Sequence, residues 1–198
     1  KTEGDFKNLL EKFGKNNFVG YEKLECEAKI LAILDENFKI IDELKNGENG
    51  WIMLDNTPFY ATSGGQCGDK GTIGKSEVLK TEKFFDLNLS FVKATENFKT
   101  NQIIKAVVGY EREMIKRNHS ATHLLHAALR KVLGDHISQA GSSVEASRLR
   151  FDFTHPKAMS FEEIKEVENL VNFEILKAIP AKTEILELNE AKKSGAIA

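Results

Sequence analysis

Residues 110–155 read "YEREMIKRNHSATHLLHAALRKVLGDHISQAGSSVEASRLRFDFTH". The hydrophobic period changes inside this stretch, and the change decides the fold class. Leu124, Leu125, Ala128, Leu129, Val132 and Leu133 make one apolar stripe at helical spacing, and Gly134 is suited to end the helix in left-handed geometry. The pattern then turns to strands, "HISQAGSSV" and "RLRFDFTH", and in the second Leu149, Phe151 and Phe153 alternate with Arg148, Arg150 and Asp152. A second helix opens on the capping box of Ser160 and Glu163, runs to about Ala178 and stops before Pro180. "AKTEILELN" reads as a strand and "EAKKSGAIA" as the opening of another helix. Helix, strand, strand, helix, strand, helix is the order of an α+β layer domain.

Upstream of Tyr110 the pattern is β. Cys26, Ala28, Ile30, Ala32 and Leu34 fall on one side of a strand, while Leu31 and Ile33 mark a part buried on both faces. "FKIIDEL", "GWIMLDN", "GTIGKSEVLKTEKFFDL", "LSFVKA" and "QIIKAVV" follow at short spacing, with Asn and Gly between them. Short strands with regular turn signals predict a small barrel or sandwich over about residues 20–108. Before it, "DFKNLLEKFGKN" reads as a short helix with Asp5 as N-cap and Gly14 as stop.

The 198 residues are 41% hydrophobic and 29% charged, with a net charge of −2, so no global positive field announces a nucleic-acid binder, although a local basic stripe can suffice. Cys26 and Cys67 lie far apart and form neither a CxxC pair nor a disulfide framework, which favours a reducing cytoplasmic setting. No apolar run is long enough to span a membrane, and no signal peptide is evident. The chain starts at Lys1 and ends in "KKSGAIA", and it reads as a piece of something longer.

Three histidines, His119, His123 and His126, share the helix. At about 100° per residue, steps of four and seven return to within roughly 40° of the start, so all three imidazoles can face one way. The HxxxH spacing of His119 and His123 lets a helix offer two nitrogens to one metal, and equally two solvated or hydrogen-bonded rings. No Glu follows His119, so this is not the H-E-x-x-H arrangement. His126 is open to the role of third ligand, supporting group or substrate-facing group. No cysteine follows Cys67, and neither His136 nor His155 has a partner at ligand spacing, so the residues give half a metal site.

"TPFYATSGGQCGDKG", residues 57–71, holds Gly64, Gly65, Gly68 and Gly71. It matches neither Walker A nor G-x-G-x-x-G. It is open to two readings, backbone N–H groups offered to a phosphate or ribose, or glycines serving tight bends. Arg112, Lys116 and Arg117, then Arg130, Lys131, Arg148 and Arg150, make a basic cluster suited to a solvated face or to an RNA backbone. Phe59, Tyr60, Phe84, Phe85 and Phe91 are expected in the core.

"NHSATHLLHAALRKVLGDHISQAGSSVEASRLRFDFTHPKAM" closely resembles the editing domain of bacterial alanyl-tRNA synthetases, and "TPFYATSGGQCGDKG" looks like the glycine-rich loop of the β-barrel that precedes it. The resemblance covers about residues 20–198. It implies a connector helix over 1–19, a barrel over 20–108 and an editing core over 109–198 of helices on a mostly antiparallel sheet, truncated at its C-terminus. It implies hydrolysis of serine or glycine wrongly joined to tRNA(Ala), within an enzyme that ligates alanine using ATP in an upstream catalytic domain of the same chain. Carried over, His119 and His123 match the first two Zn2+ ligands, and Gln139 a glutamine implicated in editing. Thr122 is a candidate facing the amino-acid pocket, and equally a plain helix residue. Gly64, Gly65 and Gln66 match the loop facing the tRNA acceptor end, and Arg117, from the basic cluster, is a further candidate for tRNA contact. The family completes its zinc site with a Cys-x-x-x-His pair that this sequence does not reach, so weak metal binding and poor editing are expected of it alone. Rival readings are a free-standing trans-editing deacylase, the related module of threonyl-tRNA synthetase, a non-catalytic tRNA-binding module, and a metal-dependent hydrolase of small esters.

Overall fold

A computed structural model describes residues 2–180 and 186–194. The chain opens with α1 (Thr2–Phe13), and eleven strands follow: β1 (Asn17–Phe18), β2 (Glu25–Asp35), β3 (Ile40–Ile41), β4 (Glu43–Leu44), β5 (Asn49–Leu54), β6 (Asn56–Thr57), β7 (Gly71–Ile73), β8 (Ser76–Phe84), β9 (Leu87–Lys93), β10 (Phe98–Lys99) and β11 (Ile103–Val108). Then come α2 (Glu111–Leu133), β12 (Gln139–Val144), β13 (Leu149–Phe153), α3 (Phe161–Leu176) and α4 (Leu188–Lys193). The fold is mixed α+β, built on a large antiparallel sheet with a few helices. No helix among the described residues is long and apolar enough to cross a membrane.

Two compact units are present: Lys1–Lys116 with Ser143–Arg148, and Arg117–Ser142 with Leu149–Ala198. The division falls inside α2 and inside β12, and so does not coincide with the boundary expected at 108/109.

In the first unit, the antiparallel pairings run β2, β11, β7, β8, β9, β5 and return to β2, with β3 added on the outer edge of β2. Strand β2 corrects a simple alternation. Its pairing with β5 slips between Ile30 and Ala32, which is the signature of a bulge. One extra residue sends every later side chain to the other face. Ile30 and Ile33 therefore share one core cluster with Ile52, Leu54, Phe59 and Ile73, while Ala32 and Leu34 join Trp51, Met53 and Leu89 in another.

Helix α1 covers that second cluster with Phe6 and Leu9, both buried. The helix begins at Thr2, so Asp5 lies inside it and is not the expected N-cap; Gly14, at φ 69°, ends it. Phe6 stacks on Phe84 at 4.9 Å between ring centroids. Phe59 is fully buried, and Phe84 and Phe91 pack against the second cluster. Tyr60, also expected inside, is half-buried and belongs to neither cluster, and Phe85 lies outside altogether: it sits at φ 55° in the β8–β9 turn and is 57% exposed. A two-residue connection at that point leaves its side chain outside the ladder.

In the second unit, Ala128 and Leu129 of α2, Ile137 and Val167 of α3 form the buried core, with Phe151 and Phe153 of β13 packed against it. Strands β12 and β13 form a two-stranded sheet. Helix α3 is capped as its sequence demands: the Glu163 N–H donates to Ser160 Oγ at 3.1 Å, and the Ser160 N–H donates to Glu163 Oε2 at 2.7 Å. Ser160→Ala is expected to cost ~1 kcal/mol in urea unfolding; no loss would mean that the box does not hold the helix. Of the strand expected at "AKTEILELN", residues 181–185 lie outside the described residues. Leu188 and Asn189 instead open α4. Of the helix expected at "EAKKSGAIA", residues 195–198 also lie outside the described residues.

Candidate functional site

The histidines stand on the part of α2 that belongs to the second unit. His119 and His123 are one turn apart, and their rings lie near-parallel, 17° between planes and 5.3 Å between centroids. His119 is half-buried and His123 exposed. Burial first, and the His123 charge second, hold the His119 imidazole below the usual histidine range. That lowering favours the neutral imidazole, the form in which a histidine ligates a metal.

His126 does not share their surroundings. It is 8% exposed, and its ring lies 5.1 Å from that of Phe151, centroid to centroid. Its Nε2 has no hydrogen-bond partner among the described residues. The common face allowed by helical spacing therefore divides: two rings pair, and the third is packed inside.

Among the described residues, no cluster of three or more His, Cys, Asp or Glu side chains could hold a metal. The His119–His123 pair fits half of a tetrahedral zinc set, and the described residues do not supply the other half.

Thr122 is buried, and its hydroxyl donates to the Asn118 carbonyl at 2.9 Å, the i−4 bond open to any helical threonine. Gln139 opens β12 with an exposed side chain whose Nε2 donates to Ser142 Oγ at 3.2 Å. Arg117 is exposed. Lys116 pairs with Glu113 at 3.2 Å, Arg130 with Asp135 at 2.9 Å and Arg150 with Asp152 at 3.2 Å, so much of the basic cluster is locally neutralised.

The glycine-rich loop belongs to the first unit. Gly64 and Gly65, at φ 57° and 82°, form the two-residue turn between Ser63 and Gln66. The Ser63 N–H donates to the Gln66 carbonyl at 3.2 Å, and the Gln66 N–H donates back at 3.0 Å. Beyond the turn, Gln66 is buried and bridges Val144. A cavity of about 450 Å³ lies beside the loop, lined by Thr62, Cys67, Asp69, Lys70, Glu111 and Glu145 among others. Burial first, then Glu145 and Asp69, push the Cys67 thiol up. It stays protonated at neutral pH and is no thiolate nucleophile.

Arg112 is the plain correction to the basic cluster. It is buried rather than presented on a face, and its Nε lies 2.9 Å from each Asp69 carboxylate oxygen. It also donates to the Gly20 carbonyl at 2.8 Å and the Pro58 carbonyl at 3.2 Å. Nothing in the spacing of Asp69 and Arg112, 43 residues apart, signals this pair.

The family model for tRNA synthetases class II (A) matches residues 1–136. The chain belongs to the class II tRNA synthetases (A). Within this synthetase family, it is 63% identical over its whole length to an alanine–tRNA ligase of Campylobacter jejuni (strain RM1221), 23% of which it covers. It is 58% identical over 98% of its length to that of Sulfurimonas denitrificans and 51% identical over 99% to that of Wolinella succinogenes, covering 23% and 24% of those proteins. The chain thus spans about a quarter of the length of these synthetases.

Proposed function

We propose that this chain is the editing part of an alanine–tRNA ligase, hydrolysing the ester that joins serine or glycine to tRNA(Ala). The observation that carries the reading is the pair of near-parallel imidazoles, His119 and His123, on successive turns of α2. Relatedness to alanine–tRNA ligases over the full chain supplies the context.

The physical need is one of discrimination. A pocket sized for alanine gains only ~1–3 kcal/mol per methyl, so it does not fully exclude glycine, and it rejects an added hydroxyl poorly. A second, hydrolytic site removes what slips through.

In this reading the partner is the acceptor end of tRNA(Ala), met by Arg117 and by the loop of Gly64, Gly65 and Gln66. The circuit of pairings from β2 back to β2 supports describing the first unit as a small closed barrel that carries this loop. Gln139, exposed at the start of β12, hydrogen-bonds the ester or the attacking water, with Thr122 beside His123 in the helix. Water adds to the ester carbonyl, the bond to the ribose oxygen breaks, and the ribose hydroxyl and free amino acid depart. His119 and His123 would supply two of the ligands of a Zn2+ ion, the rest coming from elsewhere in the longer protein. When bound, that ion offers Lewis acidity beside the carbonyl. Ligation of alanine with ATP belongs to a separate catalytic domain of the full-length enzyme. The free thiols of Cys26 and Cys67 suit a reducing cytoplasm.

Replacing both His119 and His123 by Ala in the full-length protein is the test. Hydrolysis of Ser-tRNA(Ala) is expected to fall about a hundredfold or more, with alanylation retained. Hydrolysis at the full rate would overturn the assignment.

A further inference from the structure

We propose that His136 and His155 form a second cation site, apart from the His119–His123 pair, that takes a divalent late-transition metal such as Zn2+ or Ni2+. His136 Nε2 lies 3.0 Å from His155 Nδ1. The ring planes differ by 22° and the centroids are 5.2 Å apart. That separation is close to the nitrogen gap plus the two ring radii. The rings therefore meet edge to edge, with nitrogens turned towards each other.

Two nitrogens on one tetrahedral zinc at ~2.0–2.1 Å stand ~3.3 Å apart. The His155 lone pair points along this gap, so a metal takes the position that His136 Nε2 now faces, and the exposed His136 ring swings aside to bring its own lone pair onto the ion. The backbone beneath is already fixed. Ser138 Oγ and Thr154 Oγ1 are 2.9 Å apart, and the Thr154 N–H donates to the Ser138 carbonyl at 3.1 Å. A pair whose backbones are already tied loses less freedom when the metal arrives than two untethered rings would.

His155 offers one nitrogen only. Its Nε2 is buried and has no hydrogen-bond partner among the described residues, so Nδ1 is the atom open to a ligand. With metal bound, His155 keeps its proton on Nε2. The proton that occupied the gap moves to Nδ1 of His136, so a neutral pair releases none. Water fills the remaining positions, since no third donor among the described residues completes a cluster. Imidazole pairs of this kind suit late-transition cations and bind more weakly than a four-ligand structural zinc site.

The test is a titration of the 198-residue chain with Zn2+ alone, followed by residue-specific imidazole 15N resonances, and a parallel calorimetric titration with Ni2+. His136 Nε2 and His155 Nδ1 are expected to shift together and saturate. His136→Ala, at an exposed side chain, is expected to abolish the His155 response and weaken binding about tenfold or more, while the His119 and His123 signals keep theirs. The proposal is overturned if a large excess of Zn2+ moves only His119, His123 or the cysteines. It is overturned equally if His155 responds unchanged in the folded His136→Ala chain. Neither outcome bears on ester hydrolysis.

Discussion

Asp69→Ala is expected to cost about 3–5 kcal/mol of folding stability, a large share of the ~5–15 kcal/mol that holds a domain together. Asp69 is 1% exposed and Arg112 5%. The carboxylate accepts from the Arg112 guanidinium and from the Tyr60 N–H at 2.7 Å. Removing it leaves a guanidinium charge shut away from water, with the Gly20 and Pro58 carbonyls and the Phe18 ring beside it but no paired counter-charge among the described residues. The loss therefore measures an orphaned charge rather than the worth of the pair. Arg112→Met in the Asp69→Ala background should return part of the stability, because both charges are then gone, while the Tyr60 N–H and the Gly20 and Pro58 carbonyls stay without their partners. Urea unfolding of the single and double variants reads both effects. A single-variant loss below about 1 kcal/mol would show that the guanidinium finds water, and that the pair is no anchor for the start of α2.

Gly68→Ala is expected to cost about 3 kcal/mol or more, because a β-carbon there has nowhere to go. An ideal Cβ at Gly68 would stand 1.9 Å from the Thr81 carbonyl oxygen and 2.9 Å from its carbon. The obstacle is backbone of β8, which no side-chain rotation relieves. Gly64→Ala is the matched control, since nothing lies within 4 Å of an ideal Cβ at that position and only the left-handed φ of 57° opposes it. That cost is ~1–2 kcal/mol. If the two variants unfold at the same urea concentration, close packing at Gly68 is not what the loop needs its glycine for. The contrast separates two uses of glycine within one loop. Gly64 serves a turn, and Gly68 serves a close approach to a neighbouring strand.

Much of this architecture was legible because periodicity reports burial. The apolar stripe of α2 gave a helix ending at Gly134, which lies at φ 114° with its N–H on the Arg130 carbonyl at 2.9 Å. The Ser160–Glu163 box gave the start of α3 to the residue. The bulge in β2 was not legible, because Leu31, Ala32, Ile33 and Leu34 are all apolar and an apolar run carries no phase. Spacing likewise allowed three histidines on one face of α2. Only the packing of Phe151 against His126 separated the third from the pair.

By itself, then, the sequence determined the α+β class, most of the elements and the placing of His119 and His123 one helical turn apart. Those features depend on residues near each other along the chain. Tertiary structure alone decided that Arg112 is buried on Asp69 instead of serving a basic surface, and that His136 meets His155 nitrogen to nitrogen. Each of these pairs joins residues 19 or more positions apart. Such a meeting is set by sheet register and by the burial of whole elements, and no local spacing encodes it.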